Sequence, residues 1–163
     1  MRYRLDPTQS RLVITGRSTL HGITTRGDQL TGEVTIDWDA PEPAATISAP
    51  LERVRFGDFV RDGFLHRHLD VKRWPTATFT LTGATVVGAG TEHRASLTGT
   101  LSYRSHSAPI TAEATARHDA SRLDASAHFA LDLRDFGLTP PKLLGLEVEP
   151  VVHIDVTLVG RAS

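Results

Sequence analysis

Apolar and polar residues alternate along most of the chain. Val34, Ile36 and Trp38 are interleaved with Glu33, Thr35, Asp37 and Asp39; Phe79 and Leu81 with Thr78, Thr80 and Thr82; Leu97, Leu101 and Tyr103 with Ser96, Thr98, Thr100 and Ser102. The same period returns in Ile47, Ala49 and Leu51, in Ala125, Ala127, Phe129, Leu131 and Leu133, and in Val152, Ile154, Val156 and Leu158. Successive side chains of a strand point to opposite faces, so each run predicts a strand with one apolar face. Turn-forming residues at 39–43, 88–91 and 118–121 separate the runs. Short strands at such spacing predict an all-β sandwich or barrel, and the short connections predict antiparallel neighbours.

Two segments break this rhythm. Between Phe56 and Pro75, Asp58 is placed to cap a helix, and Phe59, Asp62, Leu65 and Leu69 recur at spacings of three and four. A short helix near residues 60–70 is expected, ending before Trp74-Pro75 because proline disfavours α geometry in the residue that precedes it. The stretch from Gly137 to Pro150, with Pro140-Pro141 and Gly145, reads as a long loop with one turn of helix around Lys142 to Leu144. No linker, repeat or low-complexity run interrupts residues 1–163, which are read as a single domain.

Composition narrows the function classes. Of 163 residues, 39% are hydrophobic and 23% charged, which excludes a disordered tail and a helical membrane protein. With 18 basic against 19 acidic side chains the net charge is -1, so the chain as a whole has no electrostatic reason to bind nucleic acid or an acidic membrane; only local patches remain. Lys72 and Lys142 are the only lysines. The absence of cysteine removes disulfides, thiolate metal sites and a cysteine nucleophile. No apolar run follows Met1, so no signal peptide and no integral membrane segment is expected, and a cytoplasmic location is.

Catalytic motifs are missing. There is no Gly-x-Ser-x-Gly elbow, no Gly-x-Gly-x-x-Gly and no Walker loop. His66 and His68 would share a face on a strand but diverge by about 200° on a helix, so with His21 they are weak metal candidates and the expected metal content is none. His93, His106, His118 and His153 are expected at solvent-facing or loop positions. Arg61-Asp62 reads either as a structural turn pair or as a headgroup contact at a cavity mouth, and Arg134-Asp135 resembles it closely enough that the two could form a network. Glu52, Asp58, Asp62 and Asp70 are the acids near such a mouth, and nothing in the sequence sets them apart from ordinary surface acids.

Several apolar faces are built from small residues. Ala112, Ala114 and Ala116 share one face, Ala125 and Ala127 another, and Gly99 interrupts a third. Such a face leaves an unfilled interior, unless a small barrel packs its alanines tightly; both readings are open at this level.

Four segments resemble the YceI family of lipocalin-like proteins: Tyr3 through Ser10; Arg61-Asp62-Gly63-Phe64-Leu65 followed by Leu69 through Phe79 with Trp74-Pro75; Gly99-Thr100-Leu101 through Pro109-Ile110; and Leu133-Arg134-Asp135-Phe136-Gly137-Leu138. The sequence departs from the family at Gln9, at Arg104-Ser105, over Ser18 to Gly22 and over Pro140 to Leu146. The resemblance implies a lipocalin-like antiparallel barrel of about eight strands enclosing a long apolar ligand: a polyisoprenoid, an isoprenoid quinone or a fatty-acid-like lipid. The expected lining is Val34, Ile36, Trp38, Phe79, Leu81, Leu97, Leu101, Phe129, Leu131 and Ile154, with Phe64, Leu65 and Leu69 over one end and Arg61 at the mouth. The leading function is a non-catalytic carrier that needs no cofactor. Its expected partners are the hydrophobic small molecule or lipid itself and, on a barrel face, a second copy in a homodimer. The rival is an isomerase, cyclase or hydrolase acting on a hydrophobic substrate in the same cavity through His21, His66, His68 and Asp62, with or without a His-bound metal.

Overall fold

Most of the alternating runs become strands. A computed structural model describes residues 1–39, 42–140, 142–143 and 146–163. Its strands are β1 (Arg2–Leu5), β2 (Arg11–Arg17), β3 (Gly22–Gly27), β4 (Thr31–Thr35), β5 (Ala44–Pro50), β6 (Thr76–Ala89), β7 (Glu92–Tyr103), β8 (His106–His118), β9 (Arg122–Asp132), β10 (Lys142–Leu143), β11 (Leu146–Glu147) and β12 (Val151–Ala162). The helix α1 spans Phe59–Leu69, and 3-10 turns cover Leu51–Arg53 and Leu133–Phe136.

The ladders are antiparallel. The order β1-β4-β5-β6-β7-β8-β9-β12 returns to β1 and closes an eight-stranded barrel, the architecture that the resemblance implied. β2 and β3 prolong β1 and β4 past a break, so that β12 lies along β2 with one half and along β1 with the other. The break has its own chemistry. The Asp6 carboxylate accepts the Thr8 amide (3.0 Å) and hydroxyl (2.7 Å), and the buried Ser10 hydroxyl accepts the Val159 amide at 3.1 Å.

Two expectations need correction, and β6 holds a bulge that the alternation does not show. The run through Trp38 is not all strand: β4 stops at Thr35, and Ile36 and Trp38 belong to the segment beyond it. In β6 the register slips between Leu81 and Gly83, where the Thr82 hydroxyl donates to the Thr98 carbonyl at 3.2 Å. That bulge reverses the period, so Val86 pairs with Ala95 while Val87 is 58% exposed. After Gly137, Lys142–Leu143 pairs with Leu146–Glu147 as a two-residue ladder in place of the expected helical turn; Leu144 lies outside the described residues.

The helix follows its sequence signals. Asp58 Oδ1 accepts the amides of Val60 (2.9 Å) and Arg61 (3.2 Å), and the chain leaves α1 through Asp70 in the left-handed region, five residues before Pro75.

Turn carboxylates make stability depend on acidity. Hydrogen bonds from Thr8 and Gln9 hold Asp6 below the ordinary carboxylate range; Ser121 does the same for Asp119, Arg122 for Asp124, Arg53 for Asp28 and Arg134 for Asp132. A group whose pKa is depressed by folding contributes stability above its unfolded value, about 4, and that contribution disappears as pH falls through the folded value. The urea midpoint should therefore drop between about pH 5 and about pH 2. The drop should be smaller in Asp119→Asn and Asp132→Asn; identical slopes in variants and parent would contradict the assignment.

Candidate functional site: an apolar hollow under the helix

The barrel is plugged at one end and hollow toward the other. At the plugged end Tyr3, Ile36 and Leu123 form a buried cluster joined by Val34, Trp38 and Ala116. The Tyr3 hydroxyl accepts the Trp38 indole N–H and donates to the Asp119 carbonyl, both at 3.2 Å. The Trp38 ring stacks on His118 at 3.7 Å and on His93 at 4.8 Å. Both imidazoles reach the Gly90 carbonyl through Nε2, at 3.2 Å from His93 and 3.0 Å from His118. His93 is thus part of the interior, 8% exposed, and not the solvent-facing residue expected from its polarity.

Beyond this plug lies a cavity of about 280 Å³. Eight of the fourteen expected lining residues border it: Phe79, Leu97, Leu101, Phe129, Leu131 and Ile154 from the strands, and Leu65 and Leu69 from α1. The other six do not reach it. Val34, Ile36 and Trp38 are spent on the plug. Leu81, the last residue of β6 before the bulge, does not border the cavity. Phe64 lies 44% exposed under the Arg67 guanidinium. Arg61 is held outside the wall, over the Phe56 ring at 4.9 Å and 3.7 Å from Asp58.

Several wall residues carry no clear signal in the sequence. Ile14 and Gly16 of β2, Ile23 and Thr25 of β3, and Val54 and Phe56 after β5 all face the hollow. β2 opens with Leu12-Val13-Ile14, which has no alternation, and β3 presents only Ile23, Thr25 and Gly27 inward, so neither strand shows an apolar stripe. Of the small residues, Ala112 and Ala127 border the hollow, whereas Ala114 does not and Ala116 packs in the plug. Gly99 leaves no void, because a Cβ there would lie 2.3 Å from Phe79 Cζ: the Phe79 ring already occupies that space.

The wall is almost entirely hydrocarbon. Its polar side chains are Thr25, His68 and Tyr103, and no carboxylate borders it among the described residues. The Tyr103 hydroxyl donates to the Leu69 carbonyl, tying β7 to the end of α1, and burial pushes its pKa up. His68 Nε2 bonds the Thr139 carbonyl at 2.8 Å, His66 Nε2 the Val54 carbonyl at 2.8 Å, and His21 Nδ1 the Gly22 carbonyl at 2.9 Å. The three imidazoles are thus engaged at separate backbone sites; only His68 borders the cavity, and no metal-binding group of three forms among the described residues. Asp62 accepts the Phe56 amide at 2.6 Å, a structural role. Arg134 closes on Asp132 at 2.7 Å, and no ion pair among the described residues links it to Arg61, so the expected network is not formed.

The fold is thus a closed antiparallel barrel holding an apolar pocket beneath a helix. The model of the YceI-like domain family matches residues 3–160, and the chain belongs to that family. Solved structures agree on the fold. A polyisoprenoid binding domain from Saccharophagus degradans, implicated in plant cell wall breakdown, superposes with a TM-score of 0.82 at 22% identity, covering 99% of this chain and 98% of that one. BcnA of Burkholderia cenocepacia gives 0.80 at 16% identity, covering 98% and 99%. The YceI protein of Campylobacter jejuni gives 0.67 at 16% identity, covering 85% and 84%. No curated protein matches the sequence.

Proposed function

We propose that the protein is a non-catalytic carrier of a single-chain apolar amphiphile, such as an isoprenoid or acyl chain, held in the hollow half of the barrel. The observation that carries this reading is an apolar cavity of about 280 Å³ left open by a chain that packs the other end of its barrel with Tyr3, Ile36, Leu123 and Trp38. At ~24 cal/mol per Å³, an empty cavity of 280 Å³ forgoes packing on the order of 7 kcal/mol, comparable with the whole stability of a small domain. A hydrocarbon guest restores those contacts, whereas water would find almost no polar partner on the wall.

Size limits the guest. At about 30 Å³ per water-sized group the hollow takes roughly ten such groups. At ~0.8 kcal/mol per buried CH2, filling it contributes on the order of 8 kcal/mol before ordering costs. A longer polyisoprenoid or the side chain of a quinone would extend out of the hollow. The polyisoprenoid-binding relative supports the choice of ligand class. The cysteine-free composition supports a reducing compartment such as the cytoplasm. Among the described residues no helix is long and apolar enough to cross a membrane.

Native mass spectrometry of the purified protein, followed by organic extraction, tests the proposal. A stoichiometric mass increment that extracts as a lipid is expected. Protein that is guest-free as purified, and that takes up no fatty acid or prenol on incubation, would overturn it.

A further inference from the structure

The helix α1 is apolar on two sides, and only one of them faces the barrel. Leu65 and Leu69 border the hollow. The opposite side carries Phe59, Val60 and Phe64, which are 94%, 57% and 44% exposed, and no residue of the helix is fully buried. Two phenylalanines and a valine clustered in water on an 11-residue helix are costly to keep unless something covers them.

Charge around the helix indicates what covers it. From Leu51 to Trp74 there are six basic side chains; Arg53 is paired with Asp28 at 2.6 Å and Arg61 with Asp58 at 3.7 Å, which leaves Arg55, Arg67, Lys72 and Arg73 outside any ion pair among the described residues, against Glu52, Asp62 and Asp70. Two of these carboxylates are turned to backbone amides, Asp58 at the helix start and Asp62 on Phe56. Arg67 lies over the Phe64 ring at 4.9 Å, and Arg73 over Trp74 at 5.2 Å. Aromatic rings with guanidinium groups lying over them suit the boundary between acyl chains and phosphate headgroups, where the rings enter the apolar layer and the cations meet the anionic surface.

We propose that the outward side of α1, with Phe59, Val60, Phe64 and Arg67, docks on an anionic lipid bilayer and holds the mouth of the hollow against the layer that supplies the guest. The inference rests on the carrier reading for its purpose, but it stands on separate residues, since none of these four borders the cavity. Docking of this kind weakens with salt, because the cationic part is screened, and depends on headgroup charge.

The test is co-sedimentation of the full chain with vesicles of phosphatidylcholine alone and of equal parts phosphatidylcholine and phosphatidylglycerol. Binding to the anionic vesicles, weakened by high salt, is expected, with little binding to the neutral ones. The double variant Phe59→Ser/Phe64→Ser should lose at least about tenfold in partition to anionic vesicles while retaining the extractable guest of the parent protein. No binding by the parent, equal binding to both vesicle types, or binding unchanged in the double variant would overturn the proposal. So would a concentration-dependent dimer that the double variant abolishes, since the patch would then belong to a second copy. Vesicle binding by a protein that takes up no lipid would leave the docking surface standing and remove the carrier reading; guest uptake without docking would do the reverse.

Discussion

Leu97→Arg is expected to abolish retention of any apolar guest. Leu97 sits on β7 between Ala84 of β6 and Ala112 of β8, and its side chain borders the hollow. The two alanine neighbours leave the space beside it open, so an arginine would project into hydrocarbon with no carboxylate on the wall to meet it. A charge without a partner in such a place costs several kcal/mol, and the guanidinium escapes that cost by drawing water into the cavity or by reaching out past α1. Either response removes the on the order of 8 kcal/mol that burial of a chain would contribute. Native mass spectrometry should show the bare protein mass, with the far-UV β-signal largely preserved. Should the fold not survive the charge, Ala112→Phe makes the same point without one. A ring at that buried inward position occupies the space the guest would use, and occupancy should fall at least about tenfold with no loss of stability. Full guest occupancy in both variants would show that the lipid binds elsewhere.

The largest loss of stability is expected from Gly32→Ala. Gly32 lies in β4 with φ +143, a backbone conformation that L side chains rarely adopt, and is paired with Ile47 of β5. A methyl group there would sit 2.0 Å from the Thr46 carbonyl oxygen and 3.0 Å from Ile47 Cα. Both are backbone atoms of the neighbouring strand, so relief requires parting the β4–β5 ladder, a seam of the closed barrel. Strain and lost pairing together should cost about 3 kcal/mol or more, a large share of the ~5–15 kcal/mol that holds a domain folded. The control is Gly63→Ala. Gly63 is a helical residue with nothing within 4 Å of its added Cβ, so alanine there should stabilise by about 0.5–1 kcal/mol through helix propensity. Urea unfolding of the two variants should move the midpoint in opposite directions; a neutral Gly32→Ala would mean that β4 does not run as described.

Much of the barrel could be read before any coordinates. The stripes of β7, β9 and β12 were visible because a strand with one buried face repeats every two residues whatever it packs against. The helix was visible because its start and stop are local: Asp58 supplies the cap, and Pro75 forbids much continuation. β2 and β3 leave no stripe in the sequence for an equally local reason. Their inward positions include Gly16, Thr25 and Gly27, which carry no hydrophobic signal, and Gly27 is small because a Cβ there would meet Leu12 Cδ1 and Val54 Cγ2 at 3.1 Å. The bulge after Leu81 was likewise hidden, since one extra residue in a ladder is defined by the partner strand.

What separates Trp38 from Phe79 is not written in either run. Both are large aromatic residues on an alternating stripe, and both were expected in the cavity wall. One closes the barrel because Trp38 meets His93, His118 and Tyr3, brought from β7, β8 and β1, and the other borders a hollow whose wall includes the small residues Ala112 and Ala127. Facing inward is a property of a residue and its immediate neighbours, so the chain's own pattern established a rolled sheet with an apolar inside. Whether that inside is full or empty at a given height depends on the volumes contributed by strands far apart in sequence, and their relative heights are set by the ladder registers of the closed barrel.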